Sequence, residues 1–392
     1  MAEGGHIGQR IATHRRARRF TQAELARAAY VSLATVRAIE RGARSPSDDT
    51  LDSIAAALGI DPSRLVTDTA RTSDRIRAAL PAISAAIAAY DIPDGAPTRP
   101  LPQLAAAVAA AEAWRLGAQY SRLAQHAPAL LQDALRTVHT ATAPADRTAA
   151  LGLLASTARS AGAVAYKSGA HDLSARLGEL MRWAGTQADD PLLGAVAAYV
   201  RTETFFAARA HEAGLRALRT AIDAAPPVTN TEHRAALAAL HMRAAVVAGR
   251  CGDADGADGH LGAARVLTEH VPEGIYQGTA VGPDSVRIHQ VSVAVGLGGD
   301  HASRAVAIAE EWKPPANLPS ERRSGFYIEL ARAQLWAGRR AEALESLQVA
   351  RRTAPQHTRQ HPWAKEDTAT LRRLARGDAP TLTAFAEWIG TV

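Results

Sequence analysis

The stretch from Thr21 to Gly42 constrains the fold more than any other part of the chain, because two helix-start signals and one stop signal fall within it. Thr21-Gln22-Ala23-Glu24 has the capping-box pattern, in which the Thr21 hydroxyl accepts from the Glu24 N–H and the Glu24 carboxylate returns to the Thr21 N–H. This predicts a helix ending near Ala29. Ser32 then caps a second helix, Leu33 to Arg41, and Gly42 supplies the left-handed residue that stops it. Two short helices must therefore meet across a tight turn at Tyr30-Val31-Ser32. Apolar residues at Ile7, Ile11, Leu25, Ala26, Val31, Val36, Ile39, Leu51, Ile54, Leu58 and Ile60 recur at helical spacings, so several short helices share one core.

Charge placement sharpens the reading. Residues 1–44 hold nine Arg and three Glu, a net of +6, which is the formal charge of the whole 392-residue chain; the remainder is balanced. Total arginine content follows more readily from the codon use of a GC-rich genome than from phosphate recognition, so it proves little by itself. A small basic module joined to a large neutral one is instead the layout of a nucleic-acid binder with a sensory or assembly domain.

The segment IGQRIATHRRARRFTQAELARAAYVSLATVRAIERGARSPSDDTLDSIAAALGI resembles the Cro/repressor (Xre) family of helix-turn-helix domains. The resemblance is carried by TQAELA on the first helix of the motif, VS before the second, IERG at its end, SP in the following loop and AALGI on the fourth helix. It implies a five-helix DNA-binding domain over residues 1–66, its fifth helix at Asp61–Leu65. By the family's geometry the helix beginning at Leu33 enters the major groove of double-stranded DNA. Gln22 and Thr35 then donate to phosphates, Leu33, Ala34, Arg37 and Ala38 face base edges, and Arg41 and Arg44 complete the DNA-facing set. The family also implies a structural ion pair between Arg15 and Glu40. Five positions depart from the pattern. Leu33, Ala34 and Ala38 can touch a thymine methyl but make no bidentate hydrogen bonds, so direct readout falls on Arg37. Tyr30 stands where glycine is usual and requires a left-handed backbone or a shifted turn. His14 replaces a leucine and is expected to be partly exposed.

Beyond this module the composition favours helix: alanine and arginine abound, while aromatic and β-branched residues are few. The stretch TDTARTSD, residues 67–74, lacks apolar periodicity and reads as a linker. From Arg75 to the end, helical segments alternate with short breaks, and Pro/Gly clusters at 92–102, 225–230 and 313–319 mark longer loops. No strand pattern of useful length appears. Repetition decides the architecture. FYIELARAQLWAGRRAEALESLQVARRTAP matches the tetratricopeptide pattern at Leu330, Ala331, Gly338, Ala343, Leu347, Ala350 and Pro355. A second unit has Gly252, Ala257, Leu261 and Ala264 at matching offsets, and looser units turn near Gly169, His211 and Gly299. The fold class is therefore all-α, a repressor-like domain followed by a tetratricopeptide-like solenoid over residues 75–392 whose concave face binds something. This layout resembles actinobacterial regulators and, more distantly, peptide-sensing regulators of Gram-positive bacteria.

The effector, a peptide, small molecule or protein, is left open by the sequence. Solenoids that grip extended peptides often use Asn amides, whereas this chain has only Asn230 and Asn317, both in loops. The expected pocket lies near GIYQGTAVGPDSVRIH and SERRSGFY, where Tyr276, Arg287, His289, Arg323 and Tyr327 would converge. No catalytic motif and no cofactor signature is present. The His357/His361 pair precedes Pro362 and reads as a loop or helix start rather than a metal site. Cys251, the only cysteine, allows no intrachain disulfide and is expected to be a buried helix residue. No segment has the length and apolarity of a membrane span, so a cytoplasmic protein is expected. The function implied is a DNA-binding transcriptional regulator, not an enzyme, whose repeat domain forms a homodimer and binds an effector. The alternative is an interaction scaffold that the N-terminal module merely localises.

Overall fold

The computed structural model describes residues 3–60, 65, 69–375 and 380–391. Two compact units divide between Asp74 and Arg75. In the first, α1 (Glu3–Ala17), α2 (Gln22–Ala28), α3 (Leu33–Glu40) and α4 (Asp48–Ala57) close on a core in which Ile11, Leu25, Val36, Ile39, Ile54 and Leu58 are fully buried. Val31 and Ile60 pack against its edge. The helix expected at Asp61–Leu65 lies, but for Leu65, outside the described residues. One expectation fails nearby. The stretch read as a linker is helical from Thr69, where α5 (Thr69–Ala88) begins. It lacks an apolar stripe, but it also lacks any glycine or proline to break a helix.

The second unit is built from helical hairpins: α6 (Leu101–Leu116) with α7 (Tyr120–Thr140), α8 (Pro144–Lys167) with α9 (His171–Ala188), α10 (Pro191–Ala207) with α11 (His211–Asp223), and α12 (Thr231–Arg250) with α13 (Ala254–Thr268). After a β-hairpin, β1 (Gly274–Tyr276) and β2 (Thr279–Val281), come α14 (Pro283–Leu297) with α15 (Ala302–Glu311) and α16 (Ser320–Trp336) with α17 (Arg340–Thr353). The chain ends in α18 (Pro355–Gln360), α19 (Pro362–Leu374) and α20 (Pro380–Ile389). Small residues allow the close packing: Ala331 on α16 and Ala343 and Ala350 on α17 are fully buried, and so are Ala257 and Ala264 on α13.

One turn geometry recurs through the hairpins. At Ala118, Gly169, Arg209, Gly252 and Gly338 the backbone is left-handed, φ 56°, 83°, 54°, 77° and 76°. In each turn that residue's N–H reaches back to the carbonyl three positions earlier, and the next N–H reaches back five, as Gly169 does to Tyr166 and Ala170 to Ala165. This is the Schellman stop, which satisfies the orphan carbonyls at a helix end. Cys251, expected to be buried, is exposed instead, because α12 has already ended there and Cys251 is its cap.

The helices that open each hairpin, α6, α8, α10, α12, α14 and α16, contact one another in succession, and α16 also meets α6. They therefore line an inner groove. Its ends are tied by Tyr120, whose hydroxyl donates to Glu321 at 2.8 Å, by the Lys167–Glu321 ion pair at 3.3 Å, and by the Ser121 N–H on Gln356 Oε1 at 2.8 Å. The β-hairpin, which the sequence showed only as a Gly-rich break, docks here. Its strands pair Gly274 with Val281 and Tyr276 with Thr279, and Gln277 and Gly278 both take positive φ, the requirement of a two-residue type I′ turn.

Candidate nucleic-acid interface and inner groove

The geometry of α2 and α3 follows from local hydrogen bonds. The capping box is complete: Thr21 Oγ1 accepts from the Glu24 N–H at 3.1 Å, and Glu24 Oε2 accepts from the Thr21 N–H at 2.7 Å. Ser32 Oγ accepts from the Thr35 N–H at 3.0 Å to start α3. The Gly42 N–H donates to Ile39 O and the Ala43 N–H to Ala38 O to end it, with Gly42 at φ 72°. Tyr30 occupies the same kind of stop after α2 at φ 54° and projects its ring almost wholly into solvent.

The orientation of α3 is fixed from behind. Arg15 on α1 meets the Glu40 carboxylate two-pronged, Nε to Oε1 at 2.7 Å and Nη2 to Oε2 at 2.9 Å, and its third nitrogen, Nη1, donates to Phe20 O. Gln22 Nε2 adds a bond to Glu40 Oε2 at 2.8 Å. Burial alone would raise the Glu40 carboxyl; the Arg15 and Gln22 hydrogen bonds and the charges of Arg15 and Arg16 overcome it and hold it below its ordinary range. Gly8, which the sequence did not single out, permits this crossing: a Cβ there would lie 2.0 Å from Ile39 O.

Residues 11–65 match the helix-turn-helix family model. The N-terminal unit contains a helix-turn-helix domain of the Cro/repressor type. An immunity repressor protein of Bacillus phage phi105 is 43% identical over 60 residues, 15% of this chain and 42% of the repressor. The chain thus spans less than half the length of that relative. Among solved structures, Bacillus thuringiensis PlcR, crystallised with the peptide PapR7 and DNA, is similar over 68% of this chain and 95% of its own, at 15% identity and a TM-score of 0.27. That superposition is too loose to speak for a shared arrangement.

On the helix-turn-helix domain, Ala34, Arg37, Arg41 and Arg44 are exposed, whereas Leu33, Thr35 and Ala38 are half-buried. Gln22 is half-buried and gives one amide hydrogen to Glu40, which leaves the other free to point outward. Val36 and Ile39 face the core, so the outward strip of α3 carries Arg37 as its one long polar side chain. Arg16, Arg18, Arg19 and Arg27 are exposed as well.

The five residues expected to form an effector pocket fall in three places. Tyr276 is on the β-hairpin, its hydroxyl donating to Pro272 O at 2.9 Å. Arg287 is exposed, its guanidinium 5.7 Å from the Trp312 ring; Trp312 and Tyr327 both pack edge-on against Phe326, and Arg323 lies beside Tyr327. His289 points to the opposite side from Arg287. It is buried, its Nδ1–H meets Ser285 O at 2.7 Å, and burial with the charges of Arg322 and Arg243 takes it down to about 3.

What the tertiary structure assembles instead is a set of four arginines and a tyrosine on the inner helices that the sequence reading missed: Arg115 on α6, Arg159 on α8, Tyr199 on α10, Arg243 on α12 and Arg322 on α16. Arg115, Arg159 and Arg243 each interrupt an alanine-rich helix, which is their only sequence signal, and Arg322 lies in the SERRSGFY segment. Arg115 Nη2 donates to Gly278 O at 2.7 Å and Arg159 Nη2 to Thr279 Oγ1 at 2.7 Å, so this pair grips the hairpin tip. A Cβ on Gly278 would come 2.7 Å from Arg115 Nη2. Among the described residues, no group of three or more His, Cys, Asp or Glu is placed to hold a metal ion, and no helix is long and apolar enough to cross a membrane.

Proposed function

We propose that this chain is a sequence-specific DNA-binding transcriptional regulator of the cytoplasm. In this reading two copies pair through the C-terminal unit and place α3 in successive major grooves, and an effector bound by the repeats alters the pairing. The observation that carries the reading is the bidentate Arg15–Glu40 buttress, which holds α3 with Arg37 outward within residues 1–44, a segment of net charge +6. The 43% identity to a phage immunity repressor over the same region supports it. Pairing follows from affinity: one short reading helix with a single long polar side chain makes too few base contacts alone. No reaction is assigned to the chain.

Arg37 is the residue that would fork onto the O6 and N7 acceptors of a guanine, while Gln22 and the outlying arginines hold phosphates. Selection of bound fragments from genomic DNA should yield a two-fold site with a guanine in each half. Arg37→Ala should then relax that position at a cost of about 1–3 kcal/mol. Arg44→Ala should weaken all duplexes alike and lower the salt slope by about 1. Equal retention of every sequence by the wild-type chain would overturn the reading.

A further inference from the structure

The C-terminal end of the repeat array carries an exposed apolar surface. Trp336, the last residue of α16, is 51% exposed, and Leu374, the last of α19, is 38% exposed. The two helices pack together, and the groove between them measures about 550 Å³. That is room for several bulky side chains, against about 30 Å³ for one water. The guanidinium at its base is already paired. Arg332 lies over the Trp363 ring at 4.3 Å and meets Glu366 at 2.7 Å and Asp367 at 2.8 Å, so it is not held open for an anion. What remains for an occupant is the apolar surface of Leu335, Trp336 and Leu374, which a covering surface would remove from water.

The charges on the groove face of α19 select that occupant. Glu366, Ala369, Thr370, Arg373 and Leu374 line the groove, at the spacing of one helical stripe. Lys365 and Arg372 are turned away from it by the same periodicity. Glu366 and Arg373 are both exposed and stand seven residues apart, about 10.5 Å along the axis. Ala369 and Thr370 occupy the midpoint between them. A stripe with opposite charges at its two ends and small residues at its centre is complementary to itself. Turned end for end about a two-fold axis through that midpoint, a second α19 brings its own Arg373 to Glu366 and its own Glu366 to Arg373. The small residues let the two helices approach closely. One patch meeting its own copy in this way has the geometry of an isologous dimer, and a tryptophan flanked by charged pairs has the composition of an interface centre and its rim.

We propose that the groove between α16 and α19 is the surface through which two copies of this chain pair, with α19 antiparallel to its counterpart and each Trp336 covered by the facing groove. The inference names the contact for the pairing described above and rests on that reading.

The test is sedimentation velocity of the full chain from nanomolar to high micromolar concentration. The wild-type chain should form a dimer. Trp336→Ala should weaken it roughly a hundredfold, because each dimer loses two tryptophans. Glu366→Lys and Arg373→Glu each set like charges against one another at both ends of the contact, and each should weaken self-association roughly tenfold or more. Mixed in equal amounts, these two variants should pair with each other at close to the wild-type affinity, because both contacts regain opposite charges. Val266→Ser, which removes another exposed apolar side chain on α13, should change nothing. Three results overturn the proposal. A wild-type chain that stays monomeric throughout takes the pairing reading down with it. A dimer that survives Trp336→Ala and both charge variants pairs through another face, and the pairing reading then stands without this one. Charge variants that each lose self-association and fail to rescue one another are not in antiparallel contact.

Discussion

Removing the carboxylate of Glu40 should bring the helix-turn-helix unit close to unfolding. The Arg15 and Glu40 side chains are only 10% and 6% exposed, and their two hydrogen bonds and the third from Gln22 account for both carboxylate oxygens. Glu40→Ala leaves the Arg15 guanidinium facing the core without its counter-charge, a situation that costs about 3–5 kcal/mol. A unit of this size, Met1–Asp74, has a total stability of about 4–11 kcal/mol, so the loss takes much of it. The pair itself need not be favourable against an apolar replacement. Arg15→Met with Glu40→Leu should recover to within about 1 kcal/mol of the parent, yet lose DNA binding if α3 no longer keeps its angle. Amide hydrogen exchange of the full chain, read by mass spectrometry over residues 7–60, measures the local opening free energy without separating the units. A loss below about 1 kcal/mol in Glu40→Ala, or a double variant as unstable as the single, would refute the argument. The sign of the pH effect is also fixed. Because the folded Glu40 carboxyl is held below the ordinary 4.5, the unfolded chain takes up its proton first as pH falls, and stability present above that value is lost below it.

Two further outcomes follow from the C-terminal unit. Burial, with Lys167 and Arg322 nearby, takes His357 down to about 3, the level His289 also reaches. Both fold as neutral imidazoles, stability is intact above 6.5 and lost as pH falls towards 3, and each should cost about 2 kcal/mol near pH 5. Urea denaturation at stepped pH checks this, and His357→Gln should flatten part of the slope. Gly278→Ala places a methyl against Arg115 and Glu112 at φ 72°, so it should cost about 1–3 kcal/mol and raise hydrogen exchange across 274–281. Unchanged exchange there would mean that the hairpin tip is not gripped as described.

The N-terminal unit was legible because its determinants are local. Thr21 with Glu24, Ser32 with Thr35, and Gly42 with Ile39 interact over three positions, a distance a reader of sequence sees directly. The helical hairpins were half legible for a related reason. Gly169, Gly252 and Gly338 mark turns in the sequence, but Ala118 and Arg209 adopt the same left-handed stop. Non-glycine residues accept that strain where the surrounding hydrogen bonds repay it, so the repeat blurred.

The sequence by itself determined the capping box, the N-cap at Ser32, the stops, the apolar stripes and the segregation of charge, and with them the all-α class and the helix-turn-helix domain. Only the tertiary structure decided that Gly8 lets α1 cross α3, that a β-hairpin closes over the inner groove, and that Arg159, Tyr199, Arg243 and Arg322 meet. These contacts join residues far apart in the chain, as Arg115 and Gly278 are 163 positions apart. An arginine on an alanine-rich helix looks the same in sequence whether it faces water or a buried phenol. The difference lies in which helices stack beside it, and that is set by the summed packing of the whole repeat array rather than by any local signal.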